Sequence, residues 1–183
     1  MKEVPLEDAY RLINHNPLLL CASIHRDRIG VLPVAWYMPL SKYPLEVALA
    51  ISTTHYTARI ITDSRELTMN IPYSAQLDLV MQCGTTHGDD VNKFKKFNIP
   101  IGNTKTSKAP YITSCAAYLA GKLMDSRLAM EHEIFKIKIT EAYVEDDLFD
   151  GRWLIDTNPR ARFLHHLGDG KFAIDGEYID TKK

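Results

Sequence analysis

A chain of 183 residues with 22 Lys and Arg against 23 Asp and Glu carries a formal net charge of −1, which gives no long-range pull towards nucleic acid or an acidic membrane surface. Hydrophobic residues at 45% and charged residues at 25% are ordinary for a soluble globular protein. The length suits a single domain over residues 1–183 that buries a core without staples.

Cys21, Cys83 and Cys115 are far apart and form no C-x-x-C pair, a usage that fits a reducing cytoplasm. Met1 to Asp8 contains acidic residues and no apolar stretch of a secretory signal. The apolar runs elsewhere are too short to span a bilayer, so no membrane association is expected.

In chain order, Leu6 to Asn14 reads as a short helix with Leu6, Tyr10 and Ile13 on one side, broken by Asn16-Pro17. Leu18 to Ile24 reads as a strand that turns at Asp27-Arg28-Ile29-Gly30 into a second strand, Val31 to Ala35, so a hairpin is expected. Pro39 to Pro44 is framed by two prolines and is expected to be a stiff, extended loop. Leu45 to Ile51 is a buried strand, and Tyr56 to Leu67 has helical spacing. Thr68 to Ile71 is a short strand, and Ser74 opens a second helix that closes at Gly84. A third helix presents Val91, Phe94 and Phe97 inward and Lys93, Lys95 and Lys96 outward.

Asn98 to Lys108 is mostly loop, and Ile112 to Leu123 alternates loosely. Met124 to Glu133 is a polar connection to the cleanly alternating strand Ile134 to Ile139, which Tyr143-Val144 extends. The tail from Asn158 to Tyr178 holds a short helix, Pro159 to Leu167, and then a Gly-punctuated end. The fold class is therefore mainly β with inserted helices, a small β-barrel.

Two apolar strands stop abruptly at chemically useful residues. The first ends in Trp36 and Tyr37, flat side chains with one polar edge each, and the second ends in Ser52-Thr53-Thr54-His55-Tyr56-Thr57. A following helix would place its amino terminus against those hydroxyls, a geometry that favours an anion. An aromatic surface beside hydroxyl donors suits a ligand with a planar ring and a phosphate tail. The same residues also suit duller roles: Trp36 and Tyr37 as core or interface aromatics, the hydroxyls as helix caps, Lys93 as a solvated lysine and Cys83 as a small buried residue. His87-Gly88-Asp89-Asp90 lacks a paired ligand motif, and adjacent His165 and His166 diverge in a helix, so no metal is expected.

Ala35-Trp36 after a short strand, Pro44 before a buried strand and Tyr56-Thr57 opening a helix come in a definite order. Met69-Asn70-Ile71-Pro72, Cys83-Gly84, Asp90-x-x-Lys93-Phe94, His132 before Ile134-Phe135, and Leu164-His165-His166-Leu167-Gly168 follow in turn. The series resembles the flavin reductase-like, FMN-binding split-barrel family, and its flavoredoxin branch in particular. The resemblance implies an FMN-binding split β-barrel that forms a homodimer with FMN near the interface. It also implies hydride passage from NADH or NADPH through FMN to a flavin or other small acceptor. Alternatives are an electron-transfer protein served by a redox partner protein, and a cofactor-free β-barrel that binds a partner.

Under the resemblance Ala35, Trp36, Tyr37 and Met38 border the flavin ring, while Ser52, Thr53, Thr54 and Thr57 address the ring edge and phosphate. Asn70, Cys83 and Gly84 close the pocket, and Lys93 stands near the phosphate. No residue is assigned to catalysis, because the flavin carries the chemistry. No Gly-rich dinucleotide fingerprint is present, so a nicotinamide would bind only transiently.

Overall fold

The computed structural model describes residues 1–177; Tyr178 to Lys183, the end of the closing tail, lie outside the described residues. In chain order the elements are β1 (Lys2–Glu3), α1 (Leu6–Ala9), β2 (Leu19–His25), β3 (Arg28–Val34), β4 (Tyr37–Lys42), β5 (Leu45–Ala50), α2 (Tyr56–Ser64) and β6 (Glu66–Ile71). Then come α3 (Leu77–Thr85), α4 (Lys93–Lys96), β7 (Ile101–Gly102), β8 (Tyr111–Ile112), β9 (Ala117–Leu123), α5 (Ser126–His132), β10 (Ile134–Val144), β11 (Leu164–Gly168) and β12 (Lys171–Ile174).

One antiparallel sheet runs β3-β2-β6-β9-β10-β5-β4, with β1 added to β10, so the mainly β class and the split-barrel form hold. Its spine is β10. The predicted alternation buries Phe135, Ile137 and Ile139, while Lys136 on the other face pairs with Glu46 at 2.9 Å. At eleven residues β10 is long enough to serve β5 with its first half and β9 along the rest, with a register shift between Ile139 and Glu141. Such a shift bends the strand and lets one sheet curl.

The core lies inside this curl, where Leu19, Leu49, Leu67, Met69, Leu119 and Phe163 meet. A second cluster lies between the sheet and α3, around Leu20, Val31, Val80 and Phe94.

Several local expectations are corrected. The loop Pro39 to Pro44 is largely strand β4, hydrogen-bonded to β5. Pro39 is tolerated because β4 is the last strand of the sheet and shifts register beside it. The first hairpin turns earlier than expected, at Arg26-Asp27, with Arg26 at φ 57°.

The connection Met124 to Glu133 contains α5. Asp125 caps it by accepting from the amides of Arg127 and Leu128, and Ala129 is its one buried residue. With so little apolar face, no helical period is visible in that stretch. The predicted helix Pro159 to Leu167 is instead coil followed by β11, which pairs with β12 across a turn at Gly168 to Gly170. The helix opened by Ser74 begins as a 3-10 turn and runs through Gly84 to Thr85.

Asn70, expected at the pocket, is a buried fastener. Its Nδ2 donates to the Leu20 carbonyl (2.8 Å) and to Thr68 Oγ1 (3.0 Å), and its Oδ1 accepts from the Ile112 amide (2.8 Å). These bonds lock the segment before β9 across β6 and β2. Replacing Asn70 with Ala leaves buried main-chain groups without partners and is expected to cost about 2–4 kcal/mol of unfolding free energy. Urea denaturation with an unchanged m-value checks this.

Candidate functional site

A sheet with two ends has one seam, and here the ends are β3 and β4, joined by Ala35-Trp36. The Trp36 carbonyl accepts from the Ala50 amide at 2.9 Å, which sets the end of β5 beside the end of β3. A cleft with two lobes opens at this seam.

The larger lobe, about 380 Å³, is walled by Leu32, Pro33, Val34, Ala35 and Trp36 from β3 and its end, and by Ala50, Ile51, Ser52 and His55 after β5. Val80, Met81, Gly84 and Thr85 of α3 form the next wall, and His166, Gly170 and Phe172 of the β11–β12 hairpin form the last. The smaller lobe, about 340 Å³, is lined by Thr54, His55, Tyr56, Thr57, Cys83, Thr86 to Asp89 and Lys93. Leu32, Pro33, His55 and Gly84 border both lobes. Both volumes fall in the ~300–1,000 Å³ range of small-molecule sites.

The smaller lobe is built at the start of α2. His55 is the residue before this helix, and no side chain among the described residues caps its first amides. Such amides carry partial positive charge and need acceptors. Thr57, only 2% exposed, lies on the same turn and reaches towards β3. Gly30 permits this approach, because a Cβ there would stand 2.6 Å from Thr57 Oγ1.

Lys93, expected in solvent, is 6% exposed. Its Nζ donates to the carbonyl of Val31 at 3.0 Å and to that of Cys83. The first is on the unpaired edge of β3, and the second is among the last carbonyls of α3. Burial lowers the Lys93 pKa, yet an ammonium has three protons, and the third is available to the lobe it lines. Cys83 is itself buried, and burial pushes its thiol up to about 11, so it stays protonated at neutral pH. Gly84 lets the end of α3 lie against Pro33, whose Cγ a Cβ would meet at 3.2 Å. On the rim, Arg59 pairs with Asp89 and donates to the Thr54 carbonyl at 2.8 Å.

Of the residues selected from sequence, Ala35, Trp36 and Ser52 line the larger lobe, Thr54, Thr57, Cys83 and Lys93 the smaller, and Gly84 both. Tyr37, Met38, Thr53 and Asn70 line neither. Tyr37 turns inward, donates to the Pro17 carbonyl at 2.6 Å and has its pKa raised by burial. Met38 stands exposed on β4.

Thr53 and Ser52 are held by Glu133, the left-handed residue that ends α5. Its Oε1 accepts from Ser52 Oγ at 2.7 Å and from the Thr53 amide at 2.9 Å. Sequence reasoning missed Met81, His166 and Phe172. The last two come from a hairpin more than a hundred residues away, for which the chain gives no local signal. His55 was in plain view inside the hydroxyl cluster.

The flavin reductase like domain profile matches residues 11–165, most of the chain. The chain belongs to the flavin reductase-like family. It is similar to an FMN-binding domain of a flavin reductases-like enzyme from Shewanella baltica OS155, at 26% identity and a TM-score of 0.93, covering 99% of this chain and 97% of that one. It is 27% identical over 181 residues to the protein YddH of Escherichia coli K12, covering 96% of this chain and 95% of that protein. The flavoredoxin of Desulfovibrio vulgaris (Miyazaki F) shares the fold, at 22% identity and a TM-score of 0.81 over 91% of this chain and 90% of that one. Among the described residues, no helix of this flavin reductase-like protein is long and apolar enough to cross a membrane.

Bonds from Ser52 and then Thr53 hold the Glu133 carboxyl below its ordinary value of 4.5. Between those two values the unfolded chain binds a proton that the folded protein does not. The contribution is therefore complete above the ordinary value and is lost as pH falls through the lowered one. Glu133→Gln is expected to flatten that part of the acid limb, as read from urea midpoints of both proteins at about pH 6 and about pH 3.

Proposed function

We propose that this flavin reductase-like protein binds FMN across the two lobes and acts as an oxidoreductase, taking hydride from NADH or NADPH and passing electrons to a flavin or other small acceptor. One observation carries the reading: a largely apolar, flat lobe opens directly into a lobe rich in donors. The uncapped start of α2, the hydroxyls of Thr54 and Thr57 and the Lys93 ammonium all offer protons, as a phosphate near two negative charges requires. The acidic exception, Asp89, is neutralised by Arg59. The similarity to an FMN-binding domain of a flavin reductases-like enzyme from Shewanella baltica OS155 supports the same cofactor.

When bound, FMN supplies the hydride-accepting and electron-passing chemistry. The residues of this chain position and shield it. Trp36, 77% exposed, offers a flat face at the mouth of the larger lobe, and Leu32, Val34 and Val80 keep water from its floor. Lys93 and the start of α2 would hold the phosphate end. The open mouth leaves room for a nicotinamide to approach, stack and leave. Three free, buried cysteines support a reducing compartment, the cytoplasm.

The test is the visible spectrum after FMN is added and the protein is gel-filtered, before and after anaerobic NADH or NADPH. Retained yellow colour that bleaches with nucleotide alone is expected. Colour that bleaches only with a partner reductase makes the protein a flavoredoxin-like carrier, and no retained colour overturns FMN binding. In the same titration Thr57→Val is expected to weaken FMN about tenfold and leave riboflavin unchanged, the loss of one hydrogen bond to a charged group. Equal weakening of both removes Thr57 from the phosphate site.

We also infer a homodimer that covers the outer edge of β4, since Trp36, Met38, Leu40 and Tyr43 expose apolar surface along and beside this last strand. Light scattering is expected to give twice the chain mass, and Leu40→Lys to give the monomer mass with the fold retained.

A further inference from the structure

Outside the two lobes, three residues distant in sequence converge. His15 follows the turn after α1, His165 is the second residue of β11, and Asp175 comes directly after β12. The Leu18 amide donates to the Leu164 carbonyl at 2.7 Å, which draws the first segment to the hairpin. His165 Nε2 lies 2.9 Å from Asp175 Oδ1, and His15 Nε2 lies 3.8 Å from the same oxygen. All three ligand atoms lie within 4.8 Å of one another.

We propose that His15 Nε2, His165 Nε2 and Asp175 Oδ1 form a three-ligand site for a divalent transition cation of the Zn²⁺ class, with a fourth position open to the adjoining cavity.

The arrangement supports a cation in four ways. Two imidazoles and a carboxylate are a donor set suited to Zn²⁺, whose catalytic-type sites use three protein ligands and one exchangeable position. Tetrahedral bonds of about 2.0–2.1 Å put neighbouring ligand atoms roughly 3.3 Å apart, so each of the two measured spacings to Asp175 needs to change by only about half an ångström.

Both His165 and Asp175 are held from behind. Asp175 Oδ2 accepts from the Phe163 amide at 2.7 Å, and His165 Nδ1 lies 3.2 Å from the Asn16 carbonyl. A proton on that Nδ1 leaves Nε2 with the lone pair that a metal takes, the usual outer support of a histidine ligand.

The most pointed observation is His15. Its Nε2 is shielded from solvent and has no hydrogen-bond partner among the described residues. The His15 ring packs among Trp153, Phe163 and His165, with ring centroids 6.3, 5.8 and 5.6 Å apart. A structural His165–Asp175 ion pair accounts for two of the three residues and leaves this nitrogen without a reason, since shielded polar atoms are normally partnered. A cation gives it one.

The open side faces a cavity of about 650 Å³ lined in part by Arg11, Asn14 and Asp150, polar enough for water or a small anion to complete the coordination. The same hairpin carries His166 and Phe172 to the larger lobe of the cleft, so a cation here would pin the wall of a second site from behind.

The test starts from protein stripped with EDTA, titrated with Zn²⁺ by calorimetry and with Co²⁺ by visible absorption. One equivalent is expected, with Co²⁺ d–d bands and no thiolate charge-transfer band, because the three cysteines are buried elsewhere. His15→Gln and Asp175→Asn are each expected to weaken binding at least a hundredfold. His15→Gln removes a nitrogen with no hydrogen bond to lose, so the metal-free melting temperature should stay at the wild-type value. Absence of stoichiometric binding, a thiolate band, or wild-type affinity in either variant overturns the site. The wild-type cobalt spectrum decides the matter even if a variant fails to fold, and flavin colour plays no part in it.

Discussion

Among the described residues no strand lies beside the outer edge of β3, and its carbonyls must find donors or face water. Lys93 supplies one by placing an ammonium between the Val31 carbonyl and the Cys83 carbonyl. Burying that charge has a desolvation cost of several kcal/mol in general. Two carbonyl bonds, together with the partial negative charge at the end of α3, offset it. The ammonium bridges the two elements and, with the apolar packing of Val80 and Phe94 on Leu20 and Val31, holds α3 and α4 along the edge of the sheet. The seam between β3 and β5 then becomes a walled cleft. The same fastening gives the smaller lobe a boundary and a cation.

The division of polar groups follows from that geometry. Six consecutive residues from Ser52 to Thr57 present hydroxyls or rings, yet they do not act as one cluster. Glu133 draws Ser52 and Thr53 to its own carboxylate, and so fixes the loop that leads into α2. Thr54 and Thr57, with the uncapped turn of the helix, are left facing the smaller lobe. Ser52 belongs to both, since it lines the larger lobe and bonds Thr54 Oγ1 at 3.1 Å, so scaffold and site meet within the segment under the hold of a residue eighty positions later.

The β11–β12 hairpin contributes to both the cleft and the His15 group. On a strand, successive side chains point to opposite faces, so His165 turns to His15 and Asp175 while His166 turns to the cleft. In a helix the same pair would diverge by roughly 100° and neither assembly would form. Leu164 of this hairpin also joins the outer cluster with Val80 and Phe94, so the hairpin is tied to α3 and α4 as well as to the first turn of the chain.

The sequence by itself determined the elements whose signals are local. The alternation of Ile134 to Ile139, the hairpin of β2 and β3, the helical period after Tyr56 and the ordered run of short motifs were enough to establish a mainly β chain of the flavin reductase-like family. Each rests on spacing within a few residues, which backbone geometry translates directly into strand or helix. Tertiary structure decided the rest. Lys93 looks like its neighbours Lys95 and Lys96 until a strand edge sixty residues earlier demands a donor. Asn70 looks like a pocket residue until Leu20 and Ile112 close on it, and Tyr37 looks like a ring contact until Pro17 accepts its hydroxyl. α5 has too little apolar face to mark itself, and the His15–His165–Asp175 group exists only because the chain's first turn meets its last described hairpin. In every such case the deciding partner is remote in sequence, and the energy of a buried polar group depends on that partner and not on the residues beside it.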